Sequence, residues 1–205
     1  MNYRDVIQVD TTNAFNVQGS FKDKSFEDIR IEQDRRSKPF SVMTLSVTGD
    51  LNVGCMIRTS VTFGARAFYL VGRRVFDKRS CVGSQNYIDL HRIGCLQDDG
   101  LTIDPDVFRQ ILIDHNLFPI YVEQDENSRR LTGIGWPWTL AEIEETGKQP
   151  CFIFGSEGTG IPKELIRDNP GITVEIPMIG VMRSLNVANS SSIVLYDLCA
   201  KMGWI

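Results

Sequence analysis

The sequence has little of what marks secreted, membrane-bound or metal-binding proteins. Its longest apolar runs, such as residues 151–154, are far shorter than the roughly 20 residues that a membrane span needs, and no apolar signal core follows Met1. The five cysteines are scattered and form no Cys-x-x-Cys pair, so neither a disulfide framework nor a zinc site is indicated. We therefore expect a folded cytoplasmic protein that uses no metal and contacts no membrane, with cysteines buried as small apolar residues.

Histidine and surplus positive charge are also scarce. The two histidines lie in no recognisable catalytic signature, and the formal net charge is -4. Such a charge gives no global attraction to nucleic acid, so any contact with RNA must come from a local patch. Short pairs of cations are more often part of a solvated face, but three pairs are candidates. They are Arg73-Arg74, Lys78-Arg79 and Arg129-Arg130.

The order of apolar segments predicts an α/β fold. From Pro39 onward, short β-rich runs alternate with segments of helical period, which is typical of a largely parallel sheet covered by helices on both faces. We expect one domain over residues 39–205 and an N-terminal extension over residues 1–38. The predicted strands are Phe40–Val47, Ala67–Val71, Pro119–Glu123, Cys151–Phe154 and Thr173–Ile176. The predicted helices are Leu51–Phe63, Pro105–Asn116, Thr139–Thr146, Pro162–Asp168 and Val187–Met202.

The extension has its own pattern. Residues 25–29 favour a short capped helix, and the charged stretch from Arg30 to Lys38 favours a solvated approach to the first strand. We interpret the extension as an appended arm, with RNA or dimer contact as a second interpretation.

A first polar cluster lies where the first predicted strand meets the first predicted helix of the domain. Asn52 at the helix entry is explained by capping, and Gly54 by close packing. Neither explanation covers Arg58. Helical spacing lets all three residues face the cleft at the strand ends, where ligands bind in open α/β sheets.

A second cluster follows the predicted strand Cys151–Phe154. The loop Gly155-Ser156-Glu157-Gly158-Thr159-Gly160 lacks the Gly-Lys-Ser/Thr ending of a Walker loop and the spacing of a dinucleotide-binding loop. Its glycines permit close backbone approach to a ligand. A tight turn has no structural need for the carboxylate of Glu157, which makes this residue a functional candidate.

A third cluster runs from the last predicted strand into the final helix. It begins with Ile176-Pro177-Met178 and continues with Ser184-Leu185-Asn186-Val187-Ala188. Ser184 and Asn186 are good helix caps, and capping is the ordinary explanation for both.

Together and in this order, the three clusters resemble the signature motifs of SpoU-type RNA 2′-O-methyltransferases of the SPOUT superfamily. The resemblance extends from about Phe40 to the C-terminus. It implies a deep trefoil knot near the C-terminus, S-adenosylmethionine bent within that knot, and a homodimer with active sites near the subunit interface. The implied cofactor-binding residues are Val122, Glu123, Gly155, Ser156, Gly158, Ile176, Met178, Ser184 and Leu185.

The resemblance also implies catalytic roles. Arg58 would contact the ribose 2′-hydroxyl or the adjacent phosphate, and it would orient rather than abstract a proton because a guanidinium is a poor base. Asn52 would position Arg58 or the ribose. Glu157 would pair with Arg58 or with a donor facing the RNA. The remaining two implied residues, Ser184 and Asn186, would close the cofactor loop.

The sequence departs from the family pattern in two places. Residues 189–192 replace a more Ala/Gly-rich stretch, and an insertion-like segment at 129–137 affects the shape of the substrate entrance. The short extension favours transfer RNA over ribosomal RNA as substrate, since it is too small for a separate RNA-binding domain. The sequence also allows a non-catalytic RNA-binding protein on the same knotted scaffold, or a dinucleotide-dependent oxidoreductase.

Overall fold

The computed structural model describes residues 16–100 and 102–205, and within them seven strands form one sheet. All pairings between these strands are parallel. The strands are β1 Lys38–Leu45, β2 Ala65–Val71, β3 Asp89–Ile93, β4 Leu117–Val122, β5 Arg129–Arg130, β6 Gln149–Phe154 and β7 Ile172–Glu175. Their order across the sheet is β3-β2-β1-β6-β4-β7-β5. The predicted parallel sheet is confirmed.

Helices cover both faces of the sheet, as predicted. They are α1 Phe26–Arg36, α2 Asp50–Thr62, α3 Lys78–Cys81, α4 Pro105–Asp114, α5 Trp136–Glu145, α6 Lys163–Asp168 and α7 Val187–Lys201. On one face, α2, α5 and α7 bury apolar side chains such as Met56, Trp136 and Leu195 against the sheet. On the other, α4 and α6 bury Phe108 and Leu165. Apolar burial on both faces explains why the central strands are almost wholly apolar.

The sequence pattern missed two strands and part of one helix. Strand β3 carries charged and polar residues at the sheet edge, and β5 has only two residues, so neither shows an apolar run. The stretch from Arg30 to Lys38, predicted as a solvated approach to the first strand, is helical over residues 30–36, where it continues α1 without burying any of these residues. Glu32 pairs with Arg35 and Arg36 one helical turn away, and these pairs support the helix.

Smaller corrections concern single positions. Pro162 precedes α6 as its N-cap and is not its first residue. Cys55 is exposed, whereas the other four cysteines are buried as expected. None of the helices in the described ranges is long and apolar enough to cross a membrane. Residues 1–15, with the start of the extension and its expected lack of a signal core, lie outside the described residues.

The strand order brings four chain segments to one edge of the sheet. Strands β1, β6, β4 and β7 are neighbours and run in the same direction, so the segments after their carboxyl ends meet there. From β4 to β7, strands that follow each other in the chain are never paired neighbours in the described sheet. The C-terminal knot itself stays a prediction.

Candidate active site

A cavity of about 520 Å³ opens at this carboxyl edge of the sheet. It is lined by the loops after β4, β6 and β7 and by the start of α7. All the residues predicted to bind the cofactor line it, and so do Glu157 and Asn186. Nine further lining residues were not predicted as site residues, and the two with long polar side chains in the flanking loops are Gln124 and Arg183. Both lie in loops that the resemblance had already assigned to the cofactor. Their position next to predicted site residues could therefore have identified them.

The loop after β6 is closed by its own backbone. Ser156 and Gly160 exchange two backbone hydrogen bonds, with N···O distances of 3.2 and 2.9 Å. A side chain at Gly155 would collide with the carbonyl group of Gly160, so only glycine allows this closure. The carboxylate of Glu123, at the end of β4, accepts a hydrogen bond of 2.8 Å from the backbone N–H of Ile161. The loop is therefore held both internally and from β4.

Glu157 binds the start of α2 instead of Arg58. Its carboxylate accepts hydrogen bonds from the backbone N–H groups of Thr48, at 2.9 Å, and Gly49, at 3.1 Å. It also accepts one from the side-chain amide of Asn52 at 2.9 Å. Of the two predicted partners of Glu157, Arg58 is not among those found in the described residues of one chain, and a donor facing the RNA stays a prediction. A carboxylate suits this place because helix N-termini leave N–H groups unpaired and carry a partial positive charge.

Asn52 links the loop after β6 to the start of α7. Its side-chain oxygen accepts a hydrogen bond of 3.1 Å from the amide of Asn186. Asn186 in turn caps α7, accepting from the backbone N–H groups of Ala188 at 3.0 Å and Asn189 at 3.2 Å. A continuous chain of hydrogen bonds thus joins the loop after β6, the first turn of α2 and the first turn of α7.

Arg58 lies outside this network and outside the cavity lining among the described residues. It is exposed on α2. The predicted convergence of Asn52, Gly54 and Arg58 on one cleft was wrong within one chain. At about 100° per residue, a side chain six positions along a helix is turned about 120° away from the first. Gly54 faces the backbone and side chains of α3, where Ser80 lies against it.

The remaining predicted catalytic residue, Ser184, lines the cavity and is exposed. It belongs to the segment between β7 and α7, in which Ile179, Val181 and Met182 are at least 73% exposed. A stretch of large apolar side chains in solvent is unusual beside a polar cavity.

The electrostatics of Glu157 give a testable pH dependence. Partial burial acts to raise the pKa of Glu157, but hydrogen bonds from Asn52, Thr48 and Gly49 outweigh it and lower the pKa from 4.5 to about 2. The stabilisation is therefore complete above about pH 4.5 and is lost as the pH falls towards 2. Because Glu157 is exposed and solvent screens it, we expect Glu157→Gln to lower Tm by only about 2–4 °C at pH 7.

Thermal unfolding of both proteins at pH 7 and pH 3 checks this expectation. The difference in Tm should shrink at pH 3, because the carboxylate is then mostly protonated in the unfolded chain, where its pKa is near 4.5. Glu126→Gln, at an exposed position in another loop, is the matched control and should show no difference at either pH. An equal Tm difference at both pH values for Glu157→Gln would contradict the assigned role.

Comparisons with known proteins place this site in a family. Residues 39–196 match the sequence model of the SpoU rRNA Methylase family. A tRNA (cytidine(34)-2′-O)-methyltransferase of Methylovorus glucosotrophus is 46% identical over 48 residues, which is 22% of this chain and 30% of that protein. Relatives from Geobacillus stearothermophilus and Bacillus subtilis match over 60 and 61 residues, and each match spans 38% of the relative's length.

Solved structures agree in fold. The TrmH/SpoU tRNA modifying enzyme of A. aeolicus superposes with a TM-score of 0.64 at 17% identity, covering 87% of this chain and 84% of that one. The SpoU methyltransferase AviRb from Streptomyces viridochromogenes, solved in complex with the cofactor AdoMet, gives a TM-score of 0.60 at 19% identity. That match covers 81% of this chain and 61% of AviRb. At such identities the likeness is one of fold.

Proposed function

The chain belongs to the SpoU rRNA methylase family, and on that premise we propose that it transfers a methyl group from S-adenosylmethionine to a ribose 2′-hydroxyl of transfer RNA. The observation that carries the proposal is the cavity, because its lining contains every residue that the motifs assigned to the cofactor. The M. glucosotrophus relative, named for cytidine 34 of tRNA, supports transfer RNA as the substrate. With that substrate we place the protein in the cytoplasm.

The residues of the cavity fit the cofactor. A volume of about 520 Å³ lies within the range of roughly 300–1,000 Å³ that small-ligand sites occupy. Val122, Ile176 and Leu185 supply apolar surface, while Gly155 and Gly158 expose backbone that carries no side chain of its own. We assign cofactor binding to the residues predicted from the motifs. When bound, S-adenosylmethionine supplies a methyl group activated by its sulfonium centre.

The chain itself must align the ribose hydroxyl and stabilise charge as its proton leaves. We assign this role to Arg58, whose planar guanidinium can hold a hydroxyl and a phosphate together. A positioning role belongs to Asn52, Glu157 and Asn186, because their hydrogen bonds hold the first turn of α2 against the cavity loops. Arg58 lies about 9 Å beyond Asn52 along the axis of α2. Ser184 and Leu185 close the cavity on the α7 side.

We also propose a homodimer, because Arg58 does not line the cavity of its own chain. Large apolar side chains are exposed on α2, on α7 and on the segment between β7 and α7, and α2 packs directly on α7 through Thr59 and Ser192. These exposed residues are Leu51, Ile179, Val181, Met182, Ile193 and Tyr196. A second copy that covers this surface would bring an Arg58 to each cavity from the interface.

Light scattering at micromolar concentration should therefore give twice the chain mass of 23.2 kDa. Ile193→Glu is expected to shift the mass towards that of a monomer, because a carboxylate would be buried in the interface. Ile113→Glu, at a 63% exposed position on α4 and on the other face of the sheet, is the control and should leave the dimer intact. A wild-type chain that is monomeric and active would overturn the assembly proposed here.

The function is tested with the purified protein, radiolabelled S-adenosylmethionine, and unmodified transcripts of tRNA and ribosomal RNA. Nucleoside mass spectrometry should find a 2′-O-methylated ribose in tRNA. Transfer to ribosomal RNA alone would correct the substrate. RNA binding without methyl transfer, and without a rise in Tm on addition of the cofactor, would favour a non-catalytic RNA-binding protein instead.

A further inference from the structure

Five cations form a local surface beside α2. Arg73 and Arg74 lie between β2 and α3, and Lys78 and Arg79 are the first residues of α3. Arg92 lies on β3 with its guanidinium 4.8 Å from the ring centre of Phe76. We call these five residues the basic surface. Among the described residues, Asp50 pairs with Arg73 and Asp77 pairs with Arg79. In a chain of net charge -4, this local excess of positive charge is not a consequence of overall composition.

The two ion pairs leave the guanidinium groups accessible. Arg79 pairs with Asp77 at 2.6 Å, yet its side chain is 88% exposed. Asp77 also accepts a hydrogen bond of 2.8 Å from the backbone N–H of Arg79 as the cap of α3. Arg73 pairs with Asp50 at 3.0 Å and is 42% exposed. The carboxylates therefore orient the arginines while both side chains stay accessible to solvent.

The basic surface is connected to the cavity through the first turn of α2. Asp50 binds Arg73 with its side chain and accepts a hydrogen bond of 3.0 Å from the backbone N–H of Asp77 with its carbonyl. The same turn is held on its other side by Glu157 of the cavity loop, through Gly49 and Asn52. One helical turn thus separates the basic surface from the cavity.

We propose that the basic surface binds the sugar-phosphate backbone of the RNA substrate, so that the target ribose crosses the first turn of α2 to reach the cavity. The proposal rests on the proposed function and adds to it the surface that recognises the RNA. Phosphate contacts supply most of the sequence-independent affinity for nucleic acids, and arginine forks match phosphate oxygens in geometry. Since the chain as a whole is acidic, this surface must provide the attraction locally.

The test compares two double variants that change the net charge equally. Arg74→Glu/Lys78→Glu reverses two charges of the basic surface. Arg66→Glu/Lys148→Glu reverses two exposed charges at the opposite end of the sheet. Arg66 is the second residue of β2, and the basic surface follows the carboxyl end of that strand. Binding of a fluorescent, unmodified tRNA transcript to each full-length protein is measured over a range of KCl concentrations.

We expect the basic-surface variant to bind the transcript about 10-fold or more weakly at low salt. The slope of log Kd against log salt should fall by between about 1.4 and about 1.8, if each lost cation contacted one phosphate. The control variant should bind like the wild type. The rise in Tm with S-adenosylmethionine should be equal in all three proteins, since neither pair lines the cavity.

Equal tRNA affinity in the two variants would overturn the proposal, whether both bind as the wild type does or both are weakened by the change in net charge. Wild-type protein that binds anionic lipid vesicles but no tRNA would also overturn it. Methyl transfer by the wild type is measured separately. If tRNA binds through the basic surface but receives no methyl group, the docking surface stands and the proposed function fails.

Discussion

Replacing Arg58 with alanine is expected to lower methyl transfer to RNA by about 10²-fold or more, while cofactor affinity and assembly stay nearly unchanged. Removing a preorganised donor that stabilises developing charge has an effect of this size. The structure makes the two effects separable because Arg58 is exposed on α2, whereas the cavity lining comes from later loops. Single-turnover methyl transfer and cofactor titration, measured on the same preparations, check the expectation.

Lysine at position 58 should restore little of the lost rate, because a point charge does not reproduce the planar fork of a guanidinium. Arg66→Ala is the matched control: it removes another exposed arginine, at the opposite end of the sheet from the cavity, and should transfer methyl groups at the wild-type rate. If Arg58→Ala instead unfolds the chain or loses the cofactor, Arg58 has a structural role and the catalytic assignment is wrong.

Gly155→Val is expected to abolish cofactor binding, and methyl transfer with it. The valine side chain would collide with the carbonyl group of Gly160 and the backbone nitrogen of Ile161, which lie where a Cβ atom would be. The loop after β6 would have to open, and the cavity would lose the backbone that forms one of its walls. The variant should therefore show no rise in Tm with S-adenosylmethionine, whereas the wild type should be stabilised by mass action.

Gly133→Val controls for the general cost of a branched side chain at a glycine. No atom lies within 4 Å of a Cβ atom at Gly133, and its backbone is not left-handed. This variant should bind the cofactor as the wild type does. Unchanged cofactor binding in Gly155→Val would show that the pocket is formed by other loops than those assigned here.

Most of the fold could be predicted from local patterns. The predicted strand Cys151–Phe154 lies within the observed β6, and the apolar period after Asp50 predicted α2 to within one residue at each end. These signals are local because apolar spacing and turn chemistry act within a few residues. Strand β5 was missed for the same reason: it pairs with β7 through the backbone of Arg129 and Arg130, which carry no apolar pattern.

By itself, the sequence determined the parallel α/β architecture, the three motifs and about half of the residues that line the cavity. Only the tertiary structure decided how the motifs connect. Glu157 binds Asn52 across 105 positions, and Asn186 binds Asn52 across 134. Partners so distant in sequence are chosen by strand order, and strand order leaves no periodic trace along the chain. The position of Arg58, exposed on α2 and outside the cavity lining of its own chain, was likewise set by the face of α2 that packs on the sheet.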